Sequence, residues 1–142
     1  MSFLNSLNIT GSALTAQRYR MDIISQNIAN ADTTKTADGT PYKRQQVVLR
    51  EREFKDVLKG EMTSNRGGGV YVEEVIENEN PSIPVYDPTH PHADENGYVM
   101  MPNVNKTEEM VDLMAASRAY EANITALSVV KAMAMKALEI GK

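Results

Sequence analysis

The chain has 142 residues, 42% of them hydrophobic but only 6% aromatic, with no Trp and nine Met, which suits one domain whose interior is built by helix packing rather than by a large β-sandwich. The net charge of −4 has no basic stripe, so nucleic acid is not an expected partner. Absence of cysteine excludes disulfides and thiolate metal sites, and no apolar run approaches the roughly 20 residues that a membrane-crossing helix needs.

The chain opens MSFLNSLNITGSAL, without a basic n-region, a continuous apolar run or a cleavage site, so no cleaved secretory signal is expected. Residues 4–30 read as an amphipathic helix. Leu7, Leu14, Met21 and Ile28 recur at sevens, and Phe3, Ile24 and Ala31 take the companion position, interrupted by Thr10 and Gln17. Such a helix would reach roughly 40 Å. Asn5, Asn8, Thr10, Gly11, Thr15 and Ser25 are poor helix formers, so it is expected to fold only against a partner. The stretch NADTTKTADGTP at 30–41 then stops it.

Residues 42–101 read as short extended segments: Tyr42–Leu49, Val70–Ile76, Ile83–Tyr86 and Tyr98–Met101. A helical turn is expected over 51–59, where Phe54 and Leu58 share a side, and Gly67-Gly68-Gly69 reads as a hinge or turn. Prolines at 81, 84, 88, 91 and 102 forbid a long regular element there. The acidity lies in the middle of the chain: residues 31–105 carry −5 once the +1 of residues 1–30 and the zero of residues 106–142 are taken from −4. The mixed run of Lys43, Arg44, Arg50 and Arg52 with Glu51, Glu53 and Asp56 reads as a solvated face or as ion pairs between subunits.

Residues 105–140 read as the longest helix, roughly 50 Å. Leu113, Tyr120, Leu127 and Ala134 repeat at sevens, with Ala116, Asn123, Val130 and Ala137 as the second seam position. Asn105 is the expected N-cap with Glu108 at the capping-box position; the acidic start and the lysines toward the end match the helix dipole. Met110, Val111, Met114, Ala122, Val129 and Met133 cannot all face one partner, so burial on several faces is expected, and in so short a chain the covering surface is another subunit. The methionines Met110, Met114, Met133 and Met135 read as adaptable packing surface. The architecture read from the residues is mainly α with a small β-rich insert. Terminal segments 1–31 and 105–142 pair as an antiparallel coiled coil, and 32–104 form the insert.

Catalytic constellations are not found. His90 and His92 sit near Asp87, Asp94 and Glu95, but His-x-His between prolines matches no strong zinc pattern and reads as a structured turn; a small metal-dependent enzyme using this pair is the alternative. No Gly-x-Ser-x-Gly elbow exists, and no Lys-Ser or Lys-Thr follows the glycine run. No cofactor is expected.

Two stretches carry a family resemblance. Ser25-Gln26-Asn27-Ile28-Ala29-Asn30-Ala31-Asp32-Thr33-Thr34 resembles the N-terminal signature of the bacterial flagellar axial proteins (rod, hook and hook-associated). Glu109-Met110-Val111-Asp112-Leu113-Met114-Ala115-Ala116-Ser117-Arg118-Ala119-Tyr120-Glu121-Ala122-Asn123 is similar to their C-terminal signature. The chain length, the Ala31–Thr36 continuation and the Asp87–Val99 loop before Pro102-Asn103-Val104 are most similar to subunits of the proximal rod; another axial subunit, or a secreted coiled-coil effector, is the alternative. The resemblance implies a structural subunit that leaves the cell unfolded by flagellar type III export. It would polymerise in the periplasm into a hollow helical rod that transmits motor torque. Its partners would be copies of itself, the other rod proteins and the adaptor at the rod base and export gate. The expected assembly residues are Leu7, Leu14, Met21, Ile28, Met110, Leu113, Met114, Leu127 and Val130, with Asn27, Asn30, Arg118, Tyr120 and Asn123 as polar anchors.

Overall fold

The computed structural model describes residues 3–52, 68–79 and 82–140. The elements run α1 (Phe3–Ala29), β1 (Gln45–Glu51), β2 (Val70–Glu77), β3 (Ser82–Tyr86), β4 (Tyr98–Pro102) and α2 (Lys106–Ile140). The two long helices bracket two antiparallel hairpins, β1–β2 and β3–β4. Most of the helical turn expected at 51–59 lies outside the described residues; Glu51 itself ends β1.

Asn105 caps α2: its Oδ1 accepts from the Thr107 N–H at 3.0 Å, and its carbonyl accepts the first helical bond from Glu109 N–H. α1 stops where the Asn30 side chain takes the Gln26 carbonyl at 2.9 Å. The last turn of α1 lies beside the first turn of α2 and the helices pack lengthwise, so they run antiparallel. On α2, the line Leu113, Ala116, Tyr120, Asn123, Leu127, Val130 and Ala134 is buried or half-buried, as the seven-residue spacing predicts. Ala137 departs from it and is exposed, because α2 has 35 residues against 27 in α1.

α1 buries a second face that the seam spacing does not contain. Ile9, Ser12, Ala16, Arg20, Ile23 and Asn27 form a continuous line along it, and the β1–β2 hairpin packs there. In that hairpin Gln45 pairs with Glu77 and Glu51 with Val70, with a shift between Val48 and Leu49 that leaves Glu73 extra. The Glu73 carboxylate pairs with Arg50 across the strands.

The hinge reading of the glycine run is corrected here for Gly68 and Gly69; Gly67 lies outside the described residues. Both have positive φ, 98° and 106°, and both press on α1. A Cβ on Gly69 would sit 2.7 Å from Ser12 Oγ, and one on Gly68 would sit 3.3 Å from Ile9 Cδ1. Ser12 Oγ accepts from Val70 N–H at 3.0 Å, which pins the start of β2 to the helix. The glycines are a close-approach joint, because only a residue without Cβ lets the strand reach the helix.

In β3–β4, Ser82 pairs with Pro102 and Tyr86 with Tyr98, whose rings meet edge to face. The connection is a built turn. Asp87 Oδ1 accepts from the N–H and hydroxyl of Thr89, which holds the Asp87 carboxyl below its ordinary range. Gly97, at φ 78°, donates to Asp94 carbonyl at 2.8 Å. Val99 is buried, and the loop is tied to the segment after α1 by His92 Nδ1 and Thr34 Oγ1, 2.9 Å apart.

Two glycine substitutions are expected to move stability in opposite directions. Gly69→Ala costs at least about 1–3 kcal/mol in backbone strain, with the Ser12 clash added. Gly11→Ala, where nothing lies within 4 Å of the new Cβ, gains about 0.5–1 kcal/mol of helix propensity. Urea unfolding of the two purified variants checks the signs.

Candidate functional site

One polar residue from each of the two signature segments, Asn27 and Glu109, meets the other in a buried node. Asn27, in the last turn of α1, is 1% exposed, and so is Glu109, in the first turn of α2. Asn27 Nδ2 donates to the Gln45 carbonyl at 2.8 Å and to Glu109 Oε2 at 3.0 Å. Its Oδ1 accepts from Gln45 N–H at 3.0 Å and from the Tyr42 hydroxyl at 2.9 Å. Both donors and both acceptor positions of the amide are thus used. Bonding both the N–H and the C=O of Gln45, the side chain takes the place of a neighbouring strand at the start of β1.

Glu109 is held from the other side. Its Oε1 accepts from Arg44 Nε at 2.6 Å and from Arg44 Nη2 at 2.5 Å. Arg44 Nη2 also lies 3.9 Å from Asp112 Oδ2. A buried carboxylate is tolerated only when paired and hydrogen-bonded, and this one has a guanidinium, an amide donor and the positive end of α2. Tyr42 pays no such charge cost: burial first, then the nearby Glu109 and Glu77 carboxylates, push its hydroxyl above the ordinary tyrosine value of 10 and keep it a neutral donor. Ile23, Ile24, Arg20 and Val47 line a cleft of about 310 Å³ beside the node.

Such a node holds geometry. Each bond of the Asn27 amide and the Glu109 carboxylate is made to another part of the same chain, so α1, the lead into β1 and α2 are fixed relative to one another. Among the described residues, no group of three or more His, Asp or Glu is placed to hold a metal ion. His90 Nδ1 accepts from His92 N–H at 3.1 Å, within the turn.

The other expected site residues divide by position. Leu7, Leu14, Met21 and Ile28 are half-buried on α1; Leu113, Tyr120, Asn123, Leu127 and Val130 are half-buried on α2. Met110, Met114 and Arg118 point outward and are exposed. Asn30 serves as the C-terminal cap of α1 and accepts from Thr33 Oγ1 at 3.3 Å. Of the five expected polar anchors, only Asn27 sits in the node. Arg44, Gln45, Tyr42 and Glu109 were not singled out as anchors. A signal for Glu109 existed: it lies on the seam line of Ala116, Asn123 and Val130, where a carboxylate requires a partner.

Comparison with known proteins follows the same two segments. Residues 7–35 match the family described as flagella basal body rod protein, and residues 95–140 match the flagellar basal body rod FlgEFG protein C-terminal family. Over its whole length the chain is 47% identical to the flagellar basal-body rod protein FlgC of Bacillus subtilis (strain 168), all of which is covered. It is 46% identical to that of Salmonella typhimurium, again with both chains fully covered. It is 43% identical to that of Borreliella burgdorferi, over 99% of this chain and 98% of the relative.

Arg44→Met strands the Glu109 carboxylate and is expected to cost about 3–5 kcal/mol in urea unfolding; adding Glu109→Gln recovers part of it, since no buried charge is then left alone. The Tyr42 hydroxyl gives a pH signature. With its pKa raised on folding, its contribution is full below the unfolded value near 10 and is lost as pH rises from there through the higher folded value. Stability of the wild-type chain therefore falls across that alkaline window, and Tyr42→Phe, less stable at neutral pH, shows a shallower fall when unfolding is followed against pH.

Proposed function

The chain belongs to the flagellar basal-body rod protein FlgC family, and from that premise we propose that it works as a structural subunit of the proximal rod. It assembles with copies of itself, with the other rod proteins and with the adaptor at the base of the rod into the hollow shaft that carries motor torque. The paired helices α1 and α2 act as an antiparallel coiled coil in the inner layer of that tube, and the two hairpins with their loops lie outside it. The chain reaches the periplasm through the flagellar type III export route. No step of this role calls for catalysis or a cofactor. No helix among the described residues is long and apolar enough to cross a membrane, which suits a shaft that threads between membranes.

The observation that carries the reading is the outward face of α2. Met110, Val111, Met114, Ile124, Val129 and Met133 are all exposed. Apolar side chains strung along a 35-residue helix are what a neighbouring subunit covers, and α1 and the β1–β2 hairpin leave them open. The seam residues Leu7, Leu14, Met21, Ile28, Leu113, Tyr120, Asn123, Leu127 and Val130 hold the subunit together in this scheme. Asn27 and Asn30 secure the end of α1. Met110, Met114 and Arg118 meet neighbours.

A double substitution in the seam, Leu113→Asp with Leu127→Asp, tests the role. Cells carrying it are expected to be non-motile and their isolated basal bodies to lack rods in electron micrographs, while the variant chain is still exported. Normal rods and swimming would remove the paired helices as the joint and the rod-subunit reading with them.

A further inference from the structure

The sequence places four of its nine methionines on α2, and the structure turns all four outward. Met110, Met114, Met133 and Met135 are between 53% and 65% exposed. Met21 of α1 and Met101 of β4 are half-buried, and Met100 of β4 is 41% exposed, less than any of the four. Met110 and Met114 lie one turn apart at the start of the helix, and Met133 and Met135 lie toward its other end, roughly 35 Å away. Both ends of the apolar face therefore present thioethers to solvent. Leucine or isoleucine would give the same hydrophobicity without the reactive sulfur, so the choice of methionine has a chemical consequence.

We propose that these four residues are a redox-sensitive modification site, open to peroxide in the free chain and closed in the assembled one, whose oxidation prevents assembly. The proposal rests on the rod-subunit reading for the surface that covers them. The chemistry needs only a peroxide. A lone pair on the methionine Sδ attacks one peroxide oxygen and the O–O bond breaks. The second oxygen leaves as water, or as an alcohol from an organic peroxide. Sulfur is oxidised by two electrons, the peroxide is reduced, and the product is methionine sulfoxide. A flexible apolar side chain becomes a polar one with a strong acceptor oxygen, which an apolar interface between subunits does not satisfy. Because each sulfur is exposed before packing and covered after it, the same residues report and control the assembly state.

The test has a chemical arm and a genetic arm. Purified chain and isolated basal bodies are treated with hydrogen peroxide and mapped by peptide mass spectrometry. In the free chain Met110, Met114, Met133 and Met135 are expected to take up oxygen ahead of Met21 and Met101; in basal bodies the four are expected to be protected. Equal oxidation in the two samples would overturn the proposal. Failure to find the chain in basal bodies at all would instead overturn the rod reading beneath it. In the genetic arm, all four are changed to Gln, a polar stand-in for the sulfoxide, or to Leu, which cannot be oxidised; far-UV circular dichroism of each purified variant checks folding. The folded Gln variant is expected to lose rods and swimming. Growth in sublethal hydrogen peroxide is expected to lower the number of rods in wild-type cells and to leave unchanged the number that the Leu variant builds. Rods in the Gln variant, or an equal fall under peroxide in the wild type and the Leu variant, would overturn the proposal.

Discussion

The bond between the Asn27 amide and the Glu109 carboxylate is the constraint on which the rest of this structure depends. The largest fully buried side chains among the described residues are Glu109, Val99 and Asn27, so two of the three are polar. Among the described residues the fully buried apolar side chains are few: Ala16, Ile23, Ile24, Ala31, Val99 and Ala116. Apolar contacts are non-directional and would tolerate α1 sliding along α2 by a turn. A buried amide with four fixed bonds and a carboxylate with a guanidinium do not tolerate it, since any other register leaves a charge and several polar groups unpaired. Specificity of register is a well-attested use of buried polar groups between helices.

The same node explains why a weak helix is acceptable at the N-terminus. Thr10, Ser12 and Thr15 return hydrogen bonds to carbonyls three or four residues back, and Gly11 sits among them. These residues lower the intrinsic helicity of α1. Its order comes from two tertiary faces instead. One lies against α2, and the other carries Ile9 and Ser12 against the glycine joint, Ala16 and Ile23 inside, and Asn27 against β1. A segment with little structure of its own, ordered by its neighbours, suits the export route proposed above, in which the chain would travel unfolded before it assembles.

Periodicity and punctuation made the elements legible. Sevens in α2 placed Leu113, Tyr120 and Leu127 on the covered side, and Asn105 marked the start of the helix. The four strands emerged within a few residues of their observed limits from β-branched runs bounded by Gly and Pro. The second face of α1 was not legible, because a seam spacing describes one partner and the hairpin is another. The node was not legible either. Its members come from positions 27, 42, 44, 45 and 109, and only the fold brings them within hydrogen-bond distance. Gly68 and Gly69 were misread for a related reason: a glycine run looks the same whether it serves flexibility or close approach, and only the position of Ser12 decides between them.

Interior and exterior of the chain therefore follow opposite rules. Inside, directional bonds around Asn27 and Glu109 allow one arrangement, so every copy enters an assembly with the same shape. Outside, α2 offers Met110, Met114, Met133 and Met135, side chains with three rotatable bonds that fill irregular gaps. In the rod assembly proposed above, a subunit would meet different neighbours along the shaft and around it. Rigid surfaces would need a separate fit for each neighbour, whereas a rigid frame with a pliable coat needs one fold and lets the coat adjust. In the proposed assembly the frame would carry the load and the coat would fit the neighbours, which matches polar bonds placed within the chain and methionines placed on its outer face.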